Sequence, residues 1–336
     1  MSRENLDRSV RKIIKTSIFN FYRTAGQHNA FSLMKSCDIP WHSLAVRCDG
    51  TVNCYGHDLL GEINLGNINN ESLENIWNGR HYIKLRENLI KGIPSATVCI
   101  GCQWNIKFSQ FRKDNRNPVV PLDELRHLLI EPTILCNLRC LSCNITNAIP
   151  LRSPKMMSIK TFCKIIDQAP PAIQSLRLSI GGECFLNPKS YQMAEYAKNR
   201  FPEITIKADT NGLLIDTKSK MEAVINCFDK ITFSIDGASQ ETYAHYRRGG
   251  DFERAIENLG KLICLKNKMN RNKPKVIWKY ILFKWSDTDE EMSRARKIAR
   301  RLGVDQLLFN TTHRPLYGFS RKFTRLKPHH LSKLNN

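Results

Sequence analysis

The chain has no run of about 18 apolar residues, so the sequence predicts no membrane-spanning helix. Its start, Met1-Ser2-Arg3-Glu4-Asn5, is polar and has no apolar core. That predicts no export signal and a cytoplasmic location. Acidic residues are scarce: 31 Asp and Glu face 52 Lys and Arg, for a net charge of +21. An anionic partner is therefore expected: nucleic acid, a phosphorylated or nucleotide-linked substrate, or an acidic peptide. The plain alternative is a basic, solvated surface. The nine histidines show no metal-ligand spacing beyond the pair His329-His330. A histidine-built metal site is not expected.

What the chain does have is cysteine, twelve in 336 residues. Without export, such thiols are better read as metal ligands than as disulfides. The length suits one large α/β domain and a smaller one. The densest stretch is Cys136-Asn137-Leu138-Arg139-Cys140-Leu141-Ser142-Cys143. It follows an apolar run, residues 128–135, that reads as a strand. Three thiolates on one tight loop can hold three irons of a cubane iron–sulfur cluster and leave the fourth iron open. A zinc loop or three unrelated thiols are the alternatives.

Upstream, residues 1–36 read as a basic amphipathic helix and a connector, with Val10, Ile13, Ile14, Ile18 and Phe21 at helical spacing. Residues 37–104 hold a second set of cysteines. Leu44, Ala45 and Val46 lead into the turn signal Asp49-Gly50, and Val52 and Cys54 follow on the return strand. Leu73, Ile76 and Trp77 mark a short helix, and Cys99-Ile100-Gly101-Cys102 closes the segment. A hairpin and a Cys-x-x-Cys loop together offer four thiolates, enough for a closed cluster or for zinc. Cys48 is an additional thiol that either stands in for Cys37 or lies buried.

Residues 105–122 are polar, end in Pro118-Val119-Val120-Pro121, and read as a linker. From there strands and helices alternate. Strands are expected at residues 128–135, 176–180, 204–208, 230–235, 276–283 and 306–309. Helices are expected at 158–168, 189–199, 218–228, 251–268 and 289–302. Each return must be a helical crossover, so the sheet is parallel. Chemistry collects at the C-terminal strand ends in such folds. There lie Gly181-Gly182-Glu183, Thr210-Asn211-Gly212 and Ser234-Ile235-Asp236-Gly237. Two basic stretches stand apart: residues 261–284, with eight Lys and Arg and no acid, and the acid-free tail 311–336.

The triple-cysteine spacing, with Gly181-Gly182-Glu183 after the second strand, resembles the radical S-adenosylmethionine (SAM) enzymes. The resemblance implies a partial (β/α)6 barrel over residues 123–310. It implies a 4Fe–4S cluster on Cys136, Cys140 and Cys143 whose open iron is chelated by SAM. It implies SAM-binding roles for Gly181, Gly182, Glu183, Asn211, Ser234 and Arg247. The reaction it implies is reductive cleavage of SAM to a 5′-deoxyadenosyl radical, which takes a hydrogen atom from substrate, with a one-electron donor such as flavodoxin or ferredoxin. The family usually has Pro where this chain has Cys184. Residues 37–104 resemble the SPASM or twitch modules of such enzymes, carried by Pro40-Trp41, Asp49-Gly50, Leu65-Gly66-Asn67, Ile76-Trp77 and Cys99-x-x-Cys102. That resemblance puts Cys37, Cys54, Cys99 and Cys102 on an auxiliary 4Fe–4S cluster. Here the module precedes the barrel, whereas in the family it usually follows. The substrate expected is a peptide or protein, or a sugar-like small molecule. A nucleic-acid-modifying radical enzyme, and a non-catalytic zinc protein that binds nucleic acid, are the other readings.

Overall fold

The structure, a computed structural model, describes residues 37–54, 58, 63–91, 116–312, 315 and 317–324. The expected N-terminal helix, Cys99, Cys102, most of the linker and the end of the tail lie outside the described residues.

Among the described residues nine strands, of which β1 spans Ser43–Val46, β2 Thr51–Asn53 and β3 Gly66–Asn67, form one sheet in the order β3-β2-β1-β4-β5-β6-β7-β8-β9. Strands β4 (His127–Ile130), β5 (Ser175–Arg177), β6 (Thr205–Thr210), β7 (Lys230–Ser234), β8 (Lys275–Leu282) and β9 (Gln306–Thr311) follow chain order. Every neighbouring pair among them is parallel. These are the six units that the pattern predicts. Right-handed crossovers between sequential strands put the connecting helices on one face. That face is apolar: Ile206, Ala208, Ile231, Phe233, Val276, Trp278 and Tyr280 are buried in the core. The alternate residues face the other way, onto the inner face of the sheet.

The helices start where side chains cap them. Ser158, Thr217, Ser239, Asp251 and Thr288 each accept a hydrogen bond from a backbone N–H in the first turn. The helix Asp289–Leu302 stops at Gly303, whose φ of 73° suits glycine. Strand β4 is shorter than the apolar run that announces it. It ends at Ile130, because Pro132 has no N–H to donate to a ladder.

The hairpin β1 (Ser43–Val46) and β2 (Thr51–Asn53) is antiparallel, as Asp49-Gly50 predicts. It is not set apart from the barrel strands. Strand β1 lies parallel to β4, with Ser43 opposite His127 and Val46 opposite Ile130. The cysteine-rich module is thus an extension of the barrel sheet. A helix the sequence pattern did not announce, Arg80–Ile90, covers it. Its Arg86 is fully buried between the rings of Trp77 and Tyr82, 4.3 and 4.5 Å from their centroids. The guanidinium donates to the carbonyls of Pro40, Trp77 and Pro118. One cation therefore ties the first turn, the short helix and the end of the linker together. Burial pulls its pKa down to about 10.

Candidate functional site

The loop carrying Cys136, Cys140 and Cys143 leaves the C-terminal end of β4 and is fixed from outside. Arg139 N–H donates to the carbonyl of Arg248, and Leu141 N–H to that of Tyr246, both at 3.0 Å. Two of its sulfurs accept hydrogen bonds: Cys136 from the N–H of Leu138 at 3.4 Å, and Cys140 from Arg247 Nη1 at 3.8 Å. Burial pushes the Cys136 thiol up to about 11 and raises Cys140, while Arg247 opposes the rise at Cys140. Donors aimed at sulfur favour the thiolate over the thiol, the form that ligates iron. Among the described residues no group of three or more His, Cys, Asp or Glu converges to hold a single metal ion. A cubane makes a different demand, since each thiolate takes a separate iron. The three thiols fit that demand.

Opposite the loop, Glu183 is buried, 3% exposed. One of its oxygens accepts from Thr210 Oγ1 and the other from the N–H of Asn211, each at 2.7 Å. Asn211 Nδ2 donates in turn to Asn137 Oδ1, within the cysteine loop, at 2.8 Å. Burial pushes the Glu183 carboxyl up to about 7, against the pull of these donors. A buried carboxyl with acceptor capacity left over suits an ammonium group. Gly182 has a φ of 62°, and a Cβ there would lie 2.5 Å from the carbonyl oxygens of Thr133 and Leu135. At Gly181 it would meet Ile145 at 2.6 Å and Glu131 at 2.9 Å. The two glycines are thus demanded by the chain's own packing against the approach to the cysteine loop. The resemblance implies only SAM-binding roles for them.

Ser234 ends β7 on the inner face, opposite Lys279 in the ladder. Arg247 is already engaged. Its Nε and Nη2 both contact Asp236 Oδ2 at 2.6 Å, and Asp236 is fully buried. Burial lowers the affinity of Arg247 for its proton, but Asp236 and Cys140 outweigh that and hold it above the ordinary arginine value. Asp236 was not singled out as a site residue from sequence; only its place at a strand end hinted at it. Cys184 is buried against Glu183 and Asp209, and burial raises its thiol well above the ordinary value. It is a packed core thiol.

Of the auxiliary set, Cys37 and Cys54 are half-buried and both lie close enough to Tyr82 to raise its hydroxyl pKa, after burial itself. Cys48 sits elsewhere. Its sulfur donates to the carbonyl of Pro154 at 3.2 Å, and burial pushes it up to about 12. Its N–H donates to Glu131, which is closed by Arg152 at 2.9 and 2.6 Å. Cys48 belongs to the seam between hairpin and barrel. Sequence reasoning missed this Glu131–Arg152 pair, whose members lie 21 positions apart.

Two family models match the chain. One is the radical SAM superfamily, over residues 130–265. The other is an iron–sulfur cluster-binding domain, SPASM, over residues 37–103. The chain carries a radical SAM superfamily domain and, on the N-terminal side of it, an iron–sulfur cluster-binding domain. Its cofactors are 4Fe–4S clusters and SAM. No curated protein matches the chain. Among solved structures, similar folds include Streptococcus suis SuiB at 15% identity and a TM-score of 0.46, covering 62% of this chain and 44% of that one. SuiB bound to its precursor peptide SuiA gives 14% identity, 87% and 66% coverage and a TM-score of 0.49. TYW1 with a lysine-pyruvate adduct bound gives 15% identity, 62% and 71% coverage and a TM-score of 0.42. The chain spans less than half the length of SuiB in the first of these matches. Likeness at such identities concerns the fold alone.

Proposed function

We propose that this protein is an enzyme that cleaves SAM reductively and uses the resulting radical to take a hydrogen atom from a peptide or protein, or from a sugar-like small molecule. The observation that carries the reading is the cysteine loop facing Glu183: two sulfurs with hydrogen-bond donors, joined to the carboxyl through Asn137 and Asn211. When bound, the open cluster supplies the electron that breaks a carbon–sulfur bond of SAM, giving methionine and the 5′-deoxyadenosyl radical. Cys136, Cys140 and Cys143 hold that cluster. Glu183 receives the SAM ammonium group, and Asn211 orients the carboxyl through its N–H. Ser234, at the same height on the inner face, binds the SAM carboxylate or ribose. Arg247 keeps its charge beside Cys140 and positions that sulfur.

Cys37, Cys54, Cys99 and Cys102 would hold an auxiliary cluster, which would assist by accepting the substrate's electron or by binding the substrate. Flavodoxin or ferredoxin serves as the one-electron donor, in the cytoplasm. No helix among the described residues is long and apolar enough to cross a membrane.

The test is anaerobic incubation of reconstituted protein with SAM and dithionite. The expected result is release of 5′-deoxyadenosine from protein holding about eight irons per chain, the content of two cubanes. Iron-loaded protein that releases none contradicts the reading.

A further inference from the structure

Of the eight cations in residues 261–284, several are spent within the fold. Lys261 pairs with Glu257, Lys266 with Asp305 and Lys273 with Asp229. Lys275 and Lys279 are not. They lie on β8 at the alternation that faces the inner surface of the sheet, opposite in direction to the buried Val276, Trp278 and Tyr280. The ladder registers then place Lys275 opposite Lys230, Lys230 opposite Lys207, and Lys207 opposite Arg177. Four cations thus stand in one row across four adjacent strands, spaced about 4.8 Å apart. Like charges directly opposite in a sheet repel and destabilise it. One acid lies in the next row, Asp209, and it is already closed on Arg177. Among the described residues, Lys207, Lys230 and Lys275 form no ion pair. Lys207 and Lys230 are half-buried and Lys275 is exposed, so the row is reached by solvent. Burial and the charges of Lys207 and Lys275 push Lys230 below the ordinary lysine value.

We infer that this row is a binding site for a phosphate group carried by a small-molecule substrate. Charge matching selects the group. Three unpaired ammonium groups face it; a carboxylate cancels one and a phosphate dianion nearly two. Lysines suit phosphate as compact point charges. Position links the site to the chemistry. Lys230 and Ser234 lie on the same strand and the same face, four residues apart, which is about 13 Å. Lys279 stands beside Ser234 and carries the positive lining up to that level. A substrate anchored by phosphate at the row would have to span that distance, past Thr232 and Ile277 on the same face, to bring its far end to the SAM level. This rests on the proposed radical reading and narrows its substrate classes to a phosphorylated small molecule.

Calorimetric titration of the full-length, cluster-loaded protein with inorganic phosphate tests the inference, with acetate at matched ionic strength as reference. Phosphate is expected to bind one site at least about tenfold more tightly than acetate, the worth of one extra charge-assisted hydrogen bond. The Lys207→Met, Lys230→Met double variant, and Lys230→Gln alone, should each weaken phosphate binding by about that factor or more. Lys160→Met, a charge loss at an exposed position, should leave it unchanged. Phosphate that binds no better than acetate, or as tightly to both Lys230 variants as to the parent, overturns the inference. So does a single-stranded RNA that binds through Lys207 and Lys230 when phosphate does not. The same protein sample is assayed for 5′-deoxyadenosine. Release without phosphate binding removes the anion site alone; phosphate binding without release removes the radical reading alone.

Discussion

At the C-terminal end of the sheet, buried charges come in closed sets. Arg247 grips Asp236, Arg152 grips Glu131, and Glu183 is held by Thr210 and Asn211. About four residues lower on the same inner face, Lys207, Lys230 and Lys275 stand side by side without an ion pair among the described residues, and the acid of the next row, Asp209, is closed on Arg177. Both ends are built from the same strands with the same alternation. The upper end fixes geometry: its charges orient a loop, a carboxyl and a sulfur, and removing one leaves another stranded. The lower end holds charge in reserve, and removing one member relieves its neighbours. The first arrangement is that of a catalytic apparatus and the second that of a seat for something anionic.

The comparison breaks most visibly at the cysteine loop. Replacing Cys136, Cys140 and Cys143 by Ala should abolish 5′-deoxyadenosine release and cut bound iron by about four per chain, one cubane. Iron analysis and chromatography of the products read both effects.

Next in size is Asp236→Ala. It leaves the Arg247 charge buried and unpaired, which costs about 3–5 kcal/mol. A denaturant melt of the variant should show the loss. The double variant Asp236→Ala, Arg247→Met should recover part of it. If Asp236→Ala is as stable as the parent, the pair is not the clamp described.

A smaller effect comes from Glu183. Its folded pKa of about 7 lies above the ordinary 4.5. Between those values the folded state holds a proton that the unfolded state has released. Stability of SAM-free protein should therefore fall as pH rises from about 4.5 to 7, by at most about 3 kcal/mol, and level off above. Glu183→Gln should flatten that part of the curve. Thermal melts across the pH range measure it.

Smallest, and of opposite sign, is Lys230→Met. At low salt it should raise stability by less than about 1 kcal/mol, since solvent screens a half-exposed row. The gain should vanish at high salt. A clear loss of stability instead would mean that Lys230 has a partner and that the two ends do not differ as argued.

Much of this was legible in the residues. Local signals sufficed for the six parallel strands, the helices between them and the Asp49-Gly50 turn. The three loop cysteines and Glu183 were equally plain, because spacing within one loop and order after one strand carry them. Long-range partners were not. Nothing near Arg86 in sequence says that it will sit between two rings under three carbonyls. Glu131 and Arg152 looked like ordinary charges beside an apolar strand and a polar loop. The cation row is invisible as a sequence pattern, because its four members come from four strands brought into register by the ladder. The pairing of β1 with β4 is hidden for the same reason: alternation marks a strand but does not name its neighbour. Cys48 shows the limit at a single residue. It lies in the same hairpin as Cys54, yet burial against Pro154 and Glu131 takes it to the barrel seam.

The central claim is that the cluster held by Cys136, Cys140 and Cys143 keeps an iron open for SAM. Electron paramagnetic resonance of the reduced Cys99→Ala, Cys102→Ala variant, which retains that loop, tests it most directly. Addition of SAM should change the spectrum of its one remaining cluster, as a ligand entering the open position must. A spectrum unchanged by SAM, or a variant holding zinc and no iron, would contradict the account.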